Sequence, residues 1–412
     1  MSTPSMAGHN EARTTFVSHD IEPHPMAFSG SGGEYFRVWI VNVLLTIVTL
    51  GFYTPWARRR TAQYFYGNTL VAGSPLEFTA QQRRMVVGFL ILVLITAAYN
   101  LAANTGQDLA VGLFILGGAV LSPFIWGSAM RFRLGNTRWR GLRLRFTANW
   151  REVYTASWPV FALALVWIVV VFGLQAIAPE VPAGRKFPPV TQSMSALALL
   201  GVLLTVLCFI RLEYNYRSLL VLRAHLGDEA GRWKPVYFDF VKVWLATVLV
   251  FIVSVVVLAG VCGLLFSSSW MLFASKARGA GMVMMILFFA LAIVLGIFLL
   301  FLASAPARAY REARMFQLMW DNIGVSHIAR FKCSLRTGSY VLLRLKNMLL
   351  ALLTLGFYRP FAMVSEYRMK LESVTLHVKG GVDQVASQLV HQQREGGIGD
   401  ALADAAGLDL VG

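Results

Sequence analysis

Long apolar runs separated by polar and basic connections dominate the pattern of this chain. A helix needs about 20 mostly apolar residues to cross a bilayer. Six runs approach or exceed that length with no ionisable residue inside; they are roughly 85–103, 110–130, 157–178, 193–210, 243–266 and 282–305. The hydrophobic pattern therefore predicts six full membrane spans.

The connections between these runs alternate in charge. Those after the second, fourth and sixth runs carry most of the Lys and Arg residues, whereas the connection 104–109 carries none. Loops on the cytoplasmic side of membrane proteins are enriched in Lys and Arg. The basic connections, and with them both termini, are therefore expected in the cytoplasm.

Two shorter apolar segments are copies of one another. With an offset of 305 residues, segments 33–57 and 338–362 share 12 identities in 25 positions. The sequence Thr-Leu-Gly-Phe-Tyr at 49–53 recurs at 354–358, and Pro55 recurs as Pro360. Internal repeats indicate an architecture assembled from related units.

If both copies crossed the membrane, they would conflict with the enrichment of Lys and Arg on the cytoplasmic side. The two copies would cross in opposite directions, and the second would place its basic end on the periplasmic side. The second copy also holds Arg344 and Lys346 in its first half, which leaves 348–357 as its unbroken apolar length. A charge at the bilayer centre is costly. We expect two half-membrane or interfacial helices with both ends cytoplasmic; eight ordinary spans are the alternative.

A second repeat has an offset of 68 residues. Gly-Asn-Thr at 67–69 recurs at 135–137, and 137–146 alternates apolar and basic residues around a Gly turn. This period of two predicts a strand–turn–strand hairpin. Weaker echoes occur at 321–331, 374–378 and 233–240. The fold class predicted is an all-α polytopic membrane protein with small cytoplasmic β-hairpins.

Three regions follow from these patterns. Residues 1–27 are polar and are predicted to form a disordered cytoplasmic N-terminus. Residues 28–382 form the membrane domain, with internal repeats at 33–80, 123–148 and 338–380. Residues 383–412 form an acidic C-terminal tail.

Composition narrows the function classes. The chain is 57% hydrophobic and 14% charged, with a mean hydropathy of +0.60, whereas soluble domains average about 25% charged residues. A net charge of +16 could suit nucleic acid, but the cations sit in short loops, so the expected partner is the lipid bilayer. No histidine pair, nucleotide fingerprint or nucleophile motif is present. We expect no enzyme activity, no metal and no cofactor; protein partners are not predicted.

Arginines at headgroup depth are the candidate site. They flank the two short segments, at Arg37, Arg58, Arg59, Arg60 and Arg336. Gly-rich stretches precede both segments, and backbone N–H groups at a helix amino terminus favour anions. The hypothesis is a contact with the phosphate of an anionic phospholipid. The plainer alternative is that these charges only orient the protein.

Asn42 and Asn347 occupy the same position in the two copies. Broken helices line the sites of some transporters, so this pair could line a solute path. Alternatively, each asparagine fixes helix packing. The functions that remain are a non-enzymatic scaffold or anionic-lipid-interacting envelope protein, which the sequence favours, and a channel or transporter for a small solute.

Several motifs in order also match a known family. They are Gly32-Gly33-Glu34-Tyr35-Phe36-Arg37, the Thr49–Tyr53 motif with Pro55-Trp56-Ala57, Tyr64-Phe65-Tyr66-Gly67-Asn68-Thr69, Thr354–Pro360 and the Asp400–Asp404 tail. In these features the chain resembles the YjgN family of bacterial inner-membrane proteins. The resemblance implies a multi-pass inner-membrane protein of unknown function and supplies no catalytic residues.

Overall fold

The structure, a computed structural model, describes residues 21–179, 188–276 and 282–390, apart from 228, 235, 380, 384, 385 and 388. The helices are α1 (Gly32–Val48), α2 (Thr54–Gly67), α3 (Gln82–Asn104), α4 (Asp108–Gly135), α5 (Trp150–Ala156), α6 (Trp158–Ile177), α7 (Gln192–Leu222), α8 (Tyr237–Lys276), α9 (Met282–Asp321), α10 (Thr337–Leu353) and α11 (Arg359–Glu372). The strands are β1 (Ile21–Pro25), β2 (Ala27–Phe28), β3 (Thr69–Val71), β4 (Ser74–Phe78), β5 (Thr137–Trp139), β6 (Leu142–Phe146), β7 (Ala224–Leu226), β8 (Glu229–Trp233), β9 (Ile323–Val325), β10 (Ala329–Cys333) and β11 (Val374–Lys379).

All eleven strands belong to one antiparallel sheet. Its order is β1-β11-β10-β9-β8-β7-β6-β5-β4-β3-β2. The two end strands, β1 and β2, follow each other in the chain with only Met26 between them, so the sheet nearly closes into a ring. The predicted all-α class is therefore wrong. Isolated hairpins leave unpaired edges and are marginal in water, and pairing edge to edge removes both problems.

Five units build this ring. The first four, at 32–78, 82–146, 150–233 and 237–333, each have a helical hairpin followed by two strands, and the unit at 150–233 also has the short helix α5 before its hairpin. Unit 5, at 337–379, has helices α10 and α11 but only strand β11. Strand β1, from the other end of the chain, pairs with β11 and completes this unit. The repeats predicted at 33–80 and 338–380 correspond to units 1 and 5, and the repeat at 123–148 is the second half of unit 2.

One backbone hydrogen bond recurs at every junction between units. The N–H group just after the second strand donates to the carbonyl oxygen at the end of the next unit's second helix. The five bonds are Ser29–Asn68 (3.0 Å), Thr79–Asn136 (2.9 Å), Thr147–Arg223 (3.0 Å), Lys234–Asn322 (3.3 Å) and Ser334–Ser373 (2.8 Å). The helices close the same circle, since α11 packs against α1 and the rings of Phe36 and Phe361 stack at 5.7 Å.

The strand turns of units 1 and 2 explain the glycines of the 68-residue repeat. Ala72 and Gly73 have φ angles of 47° and 74°, and Arg140 and Gly141 have φ angles of 48° and 81°. Two successive residues with positive φ are typical of a two-residue type I′ turn, whose backbone twist matches that of the flanking strands. The echo predicted at 233–240 is wrong: the third hairpin is β7–β8, and α8 begins at Tyr237.

The Thr-Leu-Gly-Phe-Tyr motif reverses the chain between α1 and α2. Gly51 has a φ of 95°, and its N–H group donates to the carbonyl of Thr46 at 2.7 Å, which ends α1. The hydroxyl of Thr49 accepts the N–H group of Tyr53 at 3.0 Å. Pro55 then lies in the first turn of α2, where a missing N–H costs nothing. The same contacts recur between α10 and α11.

Both short helical hairpins start and end at the ring. Unit 1 enters α1 from Ser29, which bonds to Asn68, and leaves α2 directly into β3. Unit 5 likewise lies between β10 and β11. Each hairpin therefore returns the chain to the side of the ring from which it entered. The eight-span alternative needs α1 and α10 each to cross once, which this return path does not allow; the half-membrane helices stay a prediction.

Within the described residues, six helices are long and apolar enough to cross a membrane. They are Gln82–Asn104, Leu109–Gly135, Trp158–Ile177, Gln192–Leu222, Tyr237–Val261 and Ile293–Asp321. The six long apolar helices predicted from the sequence are thus confirmed. They form the helical hairpins of units 2, 3 and 4. The basic ends of these hairpins are joined to the strands of the ring. The positive-inside rule assigns that side to the cytoplasm.

Both chain ends contribute to the ring. Strands β1 and β2 lie at Ile21–Phe28, inside and beyond the segment 1–27 predicted to be disordered; residues 1–20 lie outside the described residues. At the other end, Val382 and Leu389 are buried against a cluster that includes Trp139, Leu142 and Leu376. The predicted tail 383–412 thus begins with residues packed on the ring, and 391–412 lie outside the described residues.

Candidate functional site

The two predicted asparagines lie inside their own hairpins. Asn42 is 5% exposed, and its amide donates to the carbonyl oxygen of Ala57 on α2 at 3.4 Å. Asn347 is 2% exposed and donates to the equivalent carbonyl, that of Ala362 on α11, also at 3.4 Å. Each asparagine therefore ties one helix of a hairpin to the other, which is the packing role.

Asn347 has further partners that Asn42 lacks. Its amide also lies 3.0 Å from the hydroxyl of Ser365 and 3.0 Å from a carboxylate oxygen of Glu366. The side-chain oxygen of Asn42, by contrast, finds no hydrogen-bond partner among the residues that the structure describes. The repeat has thus kept one bond in both copies and added a polar network only in unit 5.

Some of the predicted arginines share a groove. Arg37 on α1 and Arg60 on α2 line one depression of about 440 Å³ together with Val38, Val41 and Tyr64. Arg37 and Arg60 are exposed, and no ion pair to either is found among the described residues. Their guanidinium groups and the neighbouring apolar side chains give this groove a cationic part and an apolar part.

The remaining predicted arginines lie elsewhere. Arg58 is exposed, and Arg59 is half-buried, with a buried Nε for which the described part of the chain offers no hydrogen-bond partner. Arg336 precedes α10 and lines a different groove of about 540 Å³ with Arg368 and Glu372. The structure thus joins Arg37 with Arg60 and does not bring Arg336 to them.

The amino terminus of α1 already holds a carboxylate of its own chain. The Ser31 N–H donates to Glu34 Oε2 at 3.1 Å, and the Glu34 N–H donates to the Ser31 hydroxyl at 3.2 Å, which is a capping box. The Tyr64 hydroxyl donates to the Ser31 carbonyl at 2.7 Å, and burial raises the pKa of Tyr64 to about 12. An anion in unit 1 would therefore meet arginine side chains more readily than this helix end.

A charged cluster that sequence reasoning missed lies where unit 3 meets unit 4. At its centre is Glu213, whose two oxygens accept from Arg217 at 2.7 Å and from Arg311 at 2.8 Å. The indole N–H of Trp244 donates to the same carboxylate at 3.0 Å. Only the spacing of four residues to Arg217 could have signalled this, because Trp244 and Arg311 come from α8 and α9.

The cluster continues into unit 5. Glu312, next to Arg311 on α9, pairs with Lys370 at 2.7 Å and with Arg344 at 2.9 Å. Arg344 in turn pairs with Glu366 at 2.6 Å. Burial would lower the pKa of Arg344, but the carboxylates of Glu366 and Glu312 outweigh it and raise that pKa. Arg344 therefore stays charged, and the ion pairs join three units across α7, α9, α10 and α11.

A cavity of about 550 Å³ opens beside this cluster, between α7, α8 and α9. Charged side chains of α7 and α9 form one part of its wall, and apolar side chains of α8 form another. In the described part of the chain, no group of three His, Cys, Asp or Glu residues could hold a metal ion. The chemistry this arrangement offers is ion pairing and apolar contact.

Six apolar helices above a ring of strands, with arginines at their junction, define a multi-pass membrane protein. Over residues 23–405 the chain matches a family model described as bacterial protein of unknown function (DUF898). The chain belongs to this family, and the resemblance noted from its motifs is confirmed by curated relatives of the YjgN type.

Those relatives are inner membrane proteins. The chain is 26% identical to inner membrane protein YjgN of Escherichia coli O157:H7 over 183 residues, 44% of this chain and 45% of the relative. It is 29% identical to that of Salmonella typhimurium over 156 residues, 38% of each chain. The matches thus span less than half of each relative's length. No solved structure matches the chain significantly. The family and its relatives place the protein in the bacterial inner membrane.

Proposed function

We propose that this protein is a non-enzymatic inner-membrane protein that binds anionic phospholipid in the leaflet next to the ring. The observation that carries the proposal is the groove of unit 1, where Arg37 and Arg60 lie beside Val38 and Val41. A phospholipid has the same division, with an anionic phosphate next to an apolar tail. Each basic residue near an anionic leaflet contributes about 1 kcal/mol.

The tips of the short hairpins support this location. Leu50 and Leu355, at equivalent positions, are each 91% exposed, and Phe52 and Phe357 beside them are also exposed. Exposed apolar groups of this size favour hydrocarbon over water. The tips would therefore insert into the bilayer, which holds the arginines at the bases of the hairpins near the headgroups.

The channel or transporter alternative has no comparable support. Half-helices that line a solute path should present polar side chains to it, but Asn42 and Asn347 are both buried and bonded within their own hairpins. We therefore retain the lipid-binding proposal and no second function.

The test compares two double variants with the same loss of charge. Arg37→Gln/Arg60→Gln removes the groove's cations, and Arg83→Gln/Arg84→Gln removes two exposed cations at the start of α3. After purification in mild detergent, co-purified anionic lipid is counted per protein molecule. The groove variant should retain clearly less lipid than the control, because Arg37 and Arg60 line one groove together with the apolar side chains Val38 and Val41. Equal retention in both variants would mean that the charges only orient the protein.

A further inference from the structure

The cavity between α7, α8 and α9 lies apart from the groove of unit 1 and at a junction between two units. Its charged wall includes Arg217 and Glu213 of α7 with Arg308 and Arg311 of α9. Its volume of about 550 Å³ falls within the common range of about 300–1,000 Å³ for small-molecule sites.

Positive charge exceeds negative charge in the lining of this cavity. Three arginines (Arg217, Arg308 and Arg311) and two carboxylates (Glu213 and Glu312) line it, an excess of one positive charge. The two oxygens of Glu312 are taken by Arg344 and Lys370, so it does little to neutralise the cavity's arginines.

Arg308 is the arginine of this wall that is available to a ligand. Its side chain lies 4.7 Å from the ring of Phe301 and reaches the Phe301 carbonyl only at 3.5 Å. Within the described residues no carboxylate pairs with it. Arg311, by contrast, is fixed between Glu213 and the face of Trp244, 4.0 Å from the ring centroid. An uncompensated cation near a membrane interior favours an anionic partner.

The opposite wall of the cavity is apolar. Val248 and Phe251 of α8 line it, and both belong to the membrane span Tyr237–Val261. Each residue of a helix advances about 1.5 Å, so Phe251 lies roughly 20 Å along α8 from its first residue. The cavity therefore extends from headgroup depth, where the arginines are, toward the hydrocarbon.

We propose that this cavity binds a phosphate-bearing anion, with the phosphate at Arg308. Guanidinium groups suit phosphate because their N–H groups form paired, charge-assisted hydrogen bonds. Such a phosphate can come from a phospholipid, whose acyl chain would lie along Val248 and Phe251, or from free phosphate in the cytoplasm. This site is independent of the groove in unit 1 and does not rest on it.

The test uses the full chain purified in a neutral detergent. The variant Arg308→Gln is compared with Arg314→Gln, an exposed arginine on the same helix that bonds to Gln317 at 3.1 Å and does not line the cavity. The probes are dihexanoyl phosphatidylglycerol, dihexanoyl phosphatidylcholine and inorganic phosphate. Binding is followed by calorimetry and by the ligand-induced rise in unfolding temperature.

The wild type and Arg314→Gln should bind the anionic lipid, and Arg308→Gln should bind it roughly fivefold or more weakly. Arg308→Lys, which keeps the charge, should retain part of the binding and guards against a folding defect in the glutamine variant. If the protein binds phosphatidylglycerol but does not bind inorganic phosphate, the cavity is a lipid site. If it binds both probes, the cavity is a phosphate site. Equal binding of phosphatidylcholine, no binding of either anion, or no effect of Arg308→Gln would overturn the proposal. The comparison is repeated in the Arg37→Gln/Arg60→Gln background, which lacks the cations of the unit 1 groove; there Arg308→Gln should weaken binding by the same factor, so that failure of the groove proposal and failure of this one are told apart.

Discussion

The N–H group of Ser29 donates a hydrogen bond to the carbonyl oxygen of Asn68 at 3.0 Å. The same bond joins each of the other four pairs of neighbouring units, but here it joins the strand from the start of the chain to the unit that follows it. Met26 N–H, three residues earlier, donates to the carbonyl of Val374 in unit 5 at 3.0 Å. The segment Ile21–Phe28 thus bridges the last unit and the first, and closes the ring.

Closure by this segment should depend on Phe28. Its side chain is 5% exposed and its ring packs on Phe65 at 5.9 Å and Tyr367 at 5.2 Å, from units 1 and 5. Phe28→Ala should cost about 3–5 kcal/mol, because it removes a large buried ring. Phe52→Ala, at a hairpin tip where the side chain is 58% exposed, is the control and should cost much less. The temperature at which each detergent-solubilised variant loses its folded state measures this; similar losses would show that Phe28 does not hold the ring.

The stability of the strand turns should depend on the positive φ of their glycines and not on space around them. A Cβ atom added at Gly73 meets nothing within 4 Å, but its φ is 74°, in the left-handed region. Gly73→Ala should therefore destabilise the protein by about 1 kcal/mol through strain. Gly88, inside α3, also has open space around it and no positive φ, so Gly88→Ala should be neutral or slightly stabilising. Thermal stability of the two variants compares them, and an equal effect would refute the turn assignment.

The two asparagines should differ in their contributions to stability. Asn347→Ala leaves Glu366 and the Ala362 carbonyl without their amide partner and should cost about 1–3 kcal/mol. Asn42→Ala removes one long bond and an oxygen that had no partner, so its cost should be smaller. Unfolding of both variants under the same conditions checks the order. A larger loss for Asn42 would contradict the stabilising polar network described around Asn347.

The C-terminal segment should be held by apolar burial more than by charge. Leu389 is 4% exposed in the cluster with Trp139 and Leu142. Arg140 pairs with Asp383, whose side chain is 93% exposed, and exposed ion pairs contribute only about 0–1 kcal/mol. Leu389→Ala should accelerate proteolysis of the tail clearly, and Asp383→Asn should accelerate it little. The reverse order would mean that the ion pair anchors the segment.

The sequence predicted the parts of the fold that the repeats preserved. Units 1 and 2 share Gly-Asn-Thr at the end of the helix, and units 1 and 5 share the turn motif, so these hairpins could be found. In unit 3 the equivalent residues are Arg223 and Ala224, and that hairpin was placed wrongly. Closure of the ring could not be predicted from the sequence for two reasons. Strand β1 contains Pro23 and Pro25, which argue against a strand. Its partner β11 lies at the far end of the chain. In β1 both prolines face away from β11, where no donor is needed.

The candidate site was only partly accessible from the sequence. Arg37 and Arg60 could be grouped because they flank the same short apolar segment of the sequence, and the structure brings them into one groove. The ion pairs of Glu213 and Glu312 could not be predicted, because their partners lie on helices of other units and no spacing rule connects them. Such contacts depend on how the units pack around the ring.

The central claim is that the two short helical hairpins enter and leave the membrane on the ring side. Cysteine accessibility tests it most directly, in a chain whose own Cys208, Cys262 and Cys333 have been replaced. Gly33→Cys and Glu372→Cys place exposed thiols at the start of α1 and the end of α11, and Gln107→Cys marks the opposite side, between α3 and α4. A membrane-impermeant thiol reagent should label Gly33→Cys and Glu372→Cys in inside-out vesicles and Gln107→Cys in spheroplasts. Labelling of Gly33→Cys or Glu372→Cys only from the periplasmic side would contradict the account.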